Sequence, residues 1–557
     1  MSMGSGDADL AFVNGAVYTV DAARSWARAV AVRRGSIVGV GTDDEVGDLI
    51  GSGTEVVDLA GRMLVPGFQD AHVHPVYGGL DLLRCTLHDL TNQEDYLLAI
   101  KAYADEHPER EWILGGGWAM DAFPGGTPTK DLLDAIVPDR CVFLPNRDGH
   151  GVWVNSRALE VAGVTAATPD PPDGRIERSA DGAPSGTLHE GAADLVGRLA
   201  PAPTSEEMVA ALRKGQEYLH SLGITAWQDA IVDETGSEAN YAAYVDAAAR
   251  GKLTARVVGA LWWDRHRGEE QIAELVERRE RGRVGRFAAT SVKIMQDGVC
   301  ENFTAAVLDP YLDAHGRPTD NRGISFVDPG ALKGYVTELD RLGFQVHYHA
   351  LAERAVREAL DAIEAALIAN GPADNRHHLA HIQVVHPDDV PRFRTLNAVA
   401  NAQPLWAAHE SQMDDLTIPF LGEPRWRWQY PFASLVRSGA TLAMGSDWSV
   451  SSPDPLEEIH VAVNRSMPGG YPHRVDRRDV FLPDERIDLA TALSAFTMGS
   501  AYVNHLDRDT GSIEVGKLAD LAVLDRDLFA HPVDEIAEAT VEQTFVEGER
   551  VYAAVDA

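Results

Sequence analysis

Cysteine is scarce: 557 residues hold only Cys85, Cys141 and Cys300. None forms a Cys-x-x-Cys pair, so neither a disulfide framework nor a thiolate zinc site organises the chain. Long apolar runs are missing, so no segment reads as a membrane span. The N-terminal Met1 to Asp9 lacks a basic stretch followed by an apolar core. A soluble, cytoplasmic protein is therefore expected. Basic residues are in deficit, with 49 Lys and Arg against 85 Asp and Glu and a formal net charge of −36. That balance argues against nucleic acid and anionic membranes as partners. It reads most simply as an acidic, solubilising surface. No repeat or low-complexity segment stands out.

What is present is a globular composition, 45% hydrophobic and 24% charged. The length exceeds what a single core normally serves, so a large and a small domain are expected. Both ends are rich in β-formers. Ala11 to Val20 carries an Asn14-Gly15 turn, and Ala29 to Val40 looks like a second hairpin. Gly511 to Leu524 and Val541 to Val551 repeat the style. Residues 1–62 and 506–557 are thus expected to build one small composite β-sandwich.

Residues 63–505 alternate strands with helices. Strands are expected at 63–74, 223–229, 255–261, 290–295, 345–349, 378–382, 399–404 and 441–447. Helices are expected at 206–222, 269–281, 331–342, 351–369, 387–395 and 431–438. Eight such units fit an α/β class (β/α)8 TIM barrel. An open doubly wound sheet would not gather residues from strands one, four, five, six and eight around one point. Residues from about 80 to 205 exceed a strand-to-helix connection of ~2–6 residues. They read as an insertion over the barrel mouth.

Polar residues capable of chemistry sit at the strand ends. His72 and His74 are two apart, so on a strand they share a face and can form one edge of a metal site. Lys293, His349, His381 and Asp447 end four other strands. Singly, each has a duller explanation: a hydrogen-bonded core histidine, a turn cap, a paired lysine. In a barrel the C-terminal strand ends converge, which makes the coincidence a site. Lys293 is a poor metal ligand as an ammonium. Desolvation lowers its pKa, and the free amine can take up carbon dioxide to give an anionic carbamate able to bridge two metals.

With these residues in place the sequence resembles the amidohydrolase superfamily, in its family 3 branch. That branch holds N-substituted formamide deformylase and YtcJ-like metal-dependent hydrolases. The resemblance rests on Val65-Pro-Gly-Phe-Gln-Asp-Ala-His-Val-His74, Gly115-Gly-Gly-Trp118 and His150-Gly-Val-Trp-Val-Asn-Ser156. It continues through Val292-Lys-Ile-Met-Gln-Asp-Gly298, His349-Ala-Leu-Ala-Glu-Arg-Ala355, His381-Ile-Gln383, Gly445-Ser-Asp-Trp-Ser449 and Gly511 to Asp520.

The resemblance implies these roles. His72, His74 and Asp447 bind a buried metal, and His349 and His381 bind a second. Carboxylated Lys293 bridges them. A metal-bridging hydroxide attacks a carbonyl, and Asp447 carries the proton to the leaving amine. The cofactor implied is Zn2+, two ions per chain, with another divalent metal as the alternative. Trp118, His150, Glu190 and Asp297 are placed near the substrate. For Trp118 and Trp153, packing within the insertion is an equal alternative, and for Asp297 a turn cap. Trp262-Trp263 offers an aromatic wall, favouring an apolar or aromatic substituent on a small amide-type substrate. The same analogy allows a homodimer.

The family's His-Ala-x-Gly-Asp-Arg after strand five is here His349-Ala-Leu-Ala-Glu-Arg354. His347 competes with His349 for the ligand role, and the motif alignment favours His349. The expected reaction is hydrolysis of an amide or N-acyl C–N bond. Ester, lactone or carbamate hydrolysis on the same site is the alternative. A mononuclear deaminase is disfavoured, because Glu353 falls four rather than three residues after His349 and Lys293 is present. A catalytically inactive barrel scaffold is the reading of another class, and the full ligand set opposes it.

Overall fold

The computed structural model describes residues 6–233, 238–475 and 480–555. Its centre is a parallel sheet of eight strands in chain order: Phe68–Val73, Ile224–Val232, Arg256–Trp262, Phe287–Met295, Gln345–Ala350, His378–His381, Val399–Ala402 and Leu442–Met444. The two ends of this path meet. The Asp447 N–H donates to the His72 carbonyl at 2.7 Å, and the His74 N–H to the Trp448 carbonyl at 2.8 Å. The result is a nearly closed (β/α)8 barrel.

Alternation explains how each strand serves two masters. On strand five, Val346 and Tyr348 join the apolar core with Val336, Leu339 and Leu360 of the covering helices. His347, between them, makes its hydrogen bonds across the barrel interior instead. Helix Ser205–Ser221 begins with a capping box. Thr204 Oγ1 accepts the Glu207 N–H, and the Glu207 carboxylate accepts the Thr204 N–H. Helices at Ala239–Ala249 and Pro455–Asn464 were not expected from the sequence. Among the described residues no helix is long and apolar enough to cross a membrane.

The single strand expected over 63–74 is two strands in different sheets. Met63–Pro66 pairs with Leu521–Leu524 and Ala16–Tyr18, and Phe68–Val73 pairs with Ile224–Val232. The switch occurs at Gly67, whose N–H donates to Asp520, whereas the next N–H, of Phe68, donates to Gly223. A side chain at Gly67 would collide with Thr225, so the close approach of the two sheets requires glycine here. Asn14-Gly15 does not close a hairpin. Leu10–Val13 and Ala16–Tyr18 lie in opposite sheets, and the chain crosses between them at Asn14 with φ 56°. Ala29–Arg33 and Ser36–Gly41 do form an antiparallel hairpin.

The four-stranded and six-stranded terminal sheets face each other across Phe12, Val30, Leu64, Leu521 and Phe545. The Phe12 and Phe545 rings meet edge to face at 5.0 Å. Between barrel strands one and two, strands from Cys85 to Glu190 make another six-stranded sheet. Trp118, Phe123 and Trp153 sit in its core, and His150, just before one strand, and Glu190, the last residue of another, reach the barrel mouth.

Candidate metal centre

The ends of barrel strands one, six and eight bring His72, His381 and Asp447 together. One ligand atom from each lies within 4.8 Å of the others. Asp447 Oδ1 is 3.0 Å from His72 Nε2 and 2.8 Å from His74 Nε2, and Oδ2 is 3.9 Å from His381 Nδ1. The His381 ring lies 4.7 Å from that of His72 and 4.5 Å from that of His349. Lys293 is buried and lines the same cavity as these residues. In register it sits opposite His347, two residues before the level at which Met295 faces His349.

The donor set has the chemistry of a cation site. Buried polar atoms normally find a partner, yet His74 Nδ1, His349 Nδ1 and both ring nitrogens of His381 have no hydrogen bond. Burial, reinforced by neighbouring positive groups, drives His72, His349 and His381 far below the usual histidine pKa. They are neutral imidazoles, the form that binds metal. Burial works against the Asp447 charge, but the His74 hydrogen bond and nearby His381 and Lys293 hold it below the usual carboxylate range. An anion facing neutral imidazole nitrogens at hydrogen-bond distance fits a divalent ion. Asp447 and His381 also hold left-handed backbone, φ 57° and 75°. Such conformations cost on the order of 1–3 kcal/mol each and cluster at functional sites.

His150 and Glu190 form a second, charged layer. His150 Nδ1 is 2.9 and 3.1 Å from the two Glu190 oxygens. Glu190 also accepts from Thr304 Oγ1 at 2.7 Å and Asn302 Nδ2 at 3.3 Å. Burial opposes both charges. The pair nevertheless pushes His150 up to about 9 and Glu190 down to about 2. His150 is therefore a cation whose ring lies 5.1 Å from that of His349.

Two residues expected at the substrate lie elsewhere. Trp118 is fully buried in the insertion core, where Nε1 donates to the Leu144 carbonyl at 2.7 Å. There it packs edge to face against Phe123 and Trp153. Asp297 is also fully buried. Its carboxylate accepts the N–H groups of Ala306, Leu351 and Ala352 at 2.9–3.0 Å and reaches His349 Nδ1 only at 3.5 Å. It fastens the loop after strand five to the loop after strand four. Trp262 lines the cavity, whereas Trp263 packs against Tyr335.

His347 is not grouped with His349. Its Nε2 lies 2.7 Å from His72 Nδ1, behind the metal-facing side. Sequence reasoning missed Trp406, stacked on His381 at 5.4 Å, and the partly buried Arg147, 3.5 Å from Glu410. Both line the inner cavity with Leu351 and Met413. It also missed Gln228, Asn401 and Gln403. The available signal was polar side chains inside otherwise apolar strands.

A barrel with histidines and a carboxylate clustered at its C-terminal strand ends defines a metal-dependent hydrolase architecture. The chain belongs to the amidohydrolase family, whose model, Amidohydro_3, matches residues 55–552. It is 32% identical to the protein LONG AFTER FAR-RED 3 of Arabidopsis thaliana, over 98% of this chain and 92% of that one. It is 30% identical to YtcJ of Bacillus subtilis, over 97% and 98% of the two chains. N-substituted formamide deformylase of Arthrobacter pascens is 28% identical, over 97% of each. A crystal structure of an uncharacterized metal-dependent hydrolase from Pyrococcus horikoshii superposes with TM-score 0.72 at 25% identity, covering 94% of this chain and 99% of that one.

Proposed function

We propose that the protein hydrolyses a C–N bond in a small amide or N-acyl compound, at a centre holding two zinc ions. The residues that would hold them are His72, His74, Lys293 as its carbamate, His349, His381 and Asp447. The observation that carries this reading is Asp447 Oδ1, an anion set within 3.0 Å of two imidazole nitrogens beside a buried lysine. Ions bound there supply Lewis-acid polarisation of a carbonyl and an acidified water.

The chain's own groups do the rest. Asp447 accepts the proton of the attacking water and returns it to the departing amine, since neutral amide nitrogen is a poor leaving group without it. His150, with Nδ1 committed to Glu190, presents Nε2–H to the oxygen that gains negative charge. Trp406, Leu351 and Met413 give the inner cavity an apolar wall suited to an apolar or aromatic substituent. The formamide deformylase relative, by its name, acts on an N-substituted formamide. That supports an N-substituted amide here.

Metal analysis of protein purified without chelator, followed by a substrate screen, tests the reading. The expected result is about two zinc equivalents per chain and amine release from N-formyl or N-acyl amines. A zinc-loaded enzyme that cleaves esters or lactones and leaves every amide intact would overturn the C–N assignment.

A further inference from the structure

Beneath the metal-facing residues, the barrel interior holds a connected layer of amides and imidazoles, and its hydrogen-bond directions can be worked out. Gln345 Nε2 donates to two backbone carbonyls, Arg376 at 2.9 Å and Val503 at 2.7 Å. Carbonyls only accept, so this fixes Gln345 Oε1 as the oxygen facing Gln228 Nε2 at 2.9 Å. Gln228 Nε2 also donates to Asn504 Oδ1 at 3.0 Å. Gln228 Oε1 must then face the opposite way. There it lies 2.6 Å from His347 Nδ1 and 3.0 Å from His378 Nε2.

A second line of contacts agrees. Asn401 Nδ2 donates to the Ala71 carbonyl at 2.9 Å and is 3.1 Å from His378 Nδ1. His378 Nδ1 is therefore the acceptor and Nε2 the donor, as Gln228 Oε1 requires. Both hydrogens reaching Gln228 Oε1 come from imidazoles, and His347 carries its proton on Nδ1.

That leaves His347 Nε2 as a lone pair 2.7 Å from His72 Nδ1. The alternative is a His347 imidazolium donating to His72. It would bury a full charge whose hydrogen-bond partners, Gln228 and His72, are neutral, at high cost. His72 thus donates from Nδ1, and its Nε2 lone pair points at Asp447 Oδ1, 3.0 Å away. Two electron-rich atoms face each other at that distance only usefully around a cation.

We propose that His347, oriented by Gln228, is a positioning residue that locks His72 in the tautomer able to bind metal through Nε2. The chain uses one histidine of the pair His347 and His349 at the metal and the other to set a ligand's proton. Partners of this kind typically change metal affinity by about 10–100-fold. The inference rests on the metal reading above and deepens it.

The test is zinc affinity, measured by chelator competition on the full chain, together with unfolding of the metal-free protein. His347→Phe removes the acceptor and should weaken zinc by about 10–100-fold. His347→Gln places an amide oxygen near the former Nε2 and should restore affinity to within a few fold. If His347→Phe does not fold, Gln228→Met, which removes the acceptor for His347 Nδ1–H, should show the weakening instead. A folded His347→Phe with wild-type zinc affinity overturns the inference. So does His347→Gln losing as much affinity as His347→Phe with unchanged metal-free stability. Wild-type protein with no affinity for zinc overturns the metal reading itself, and the inference with it.

Discussion

His150 Nδ1 and Glu190 Oε1 lie 2.9 Å apart across 40 residues of sequence, at the same end of the paired insertion strands Gly151–Val154 and Pro184–Glu190, and they set an imidazolium, held by its carboxylate, beside His349. Both side chains are largely shielded from solvent. Removing one member of a buried pair typically costs about 3–5 kcal/mol, because the other is left uncompensated.

The pH dependence of that contribution has a definite sign in the metal-free protein. The folded His150 titrates at about 9, above an unfolded value of roughly 6.5. Its contribution is complete below the unfolded value and is lost as pH rises through about 9. Glu190, at about 2, contributes fully above its unfolded value of roughly 4.3 and loses that contribution only as pH falls toward 2. Denaturant midpoints of wild type and Glu190→Gln should therefore differ by a constant gap near pH 5–6.5, narrowing toward pH 10. A gap that widens with rising pH would contradict the pairing.

Gly298 guards the same pair from below. A methyl group there would fall inside the contact radii of Thr304 Oγ1 and Glu190 Oε1. Gly298→Ala should cost about 1–3 kcal/mol as overpacking. It should also impair turnover in the same direction as Glu190→Gln. Combined, the two should be less than additive, since each disturbs one contact. Additive effects in the double variant would separate Gly298 from the pair.

Lys293 is buried among imidazoles, and its positive charge is one of the influences pressing His72, His347, His349, His378 and His381 toward neutrality. Carbamate formation reverses its sign: the ammonium gives up one proton, and the amine then combines with carbon dioxide and gives up a second. Zinc uptake by metal-free protein should accordingly be higher in bicarbonate than in carbon-dioxide-free buffer. Lys293→Met should keep the fold but take up about one ion rather than two. Identical uptake in both buffers, with Lys293→Met binding as wild type does, would remove the carbamate from the site.

The barrel is legible in the sequence because its strands are short apolar runs, five of them carrying a polar side chain at or just past the C-terminal end (His72, Lys293, His349, His381 and Asp447), and parallel strands covered by helices are apolar on both faces. Residues 63–74 misled for the same reason: Met63–Pro66 is as apolar as a barrel strand, and only the Gly67 contact with Thr225 separates the sheets. Trp118 and Trp153 carry no mark in sequence to tell a packed indole from one lining a cavity. Gln228 and His347 stand within apolar strands of the sequence, but their roles lie in partners on other strands. His347 meets His72 from a strand 275 residues away.

Asp447 gives the sharpest separation of metal binding from folding. Its backbone is left-handed, φ 57°, a conformation asparagine tolerates at least as well as aspartate. In Asp447→Asn, an amide nitrogen placed where Oδ1 now sits has two hydrogens, one for each facing nitrogen of His72 and His74. The metal-free variant should therefore unfold within about 1 kcal/mol of metal-free wild type. Zinc at a thousand times its dissociation constant should then stabilise wild type by about 4 kcal/mol and the variant far less. Amide turnover should fall by about 10²–10⁴-fold with loss of the proton carrier. If zinc stabilised both proteins equally while turnover collapsed, Asp447 would be a proton carrier without being a ligand. If metal-free Asp447→Asn were unfolded, the carboxylate would be holding the barrel's closing seam rather than waiting for a cation.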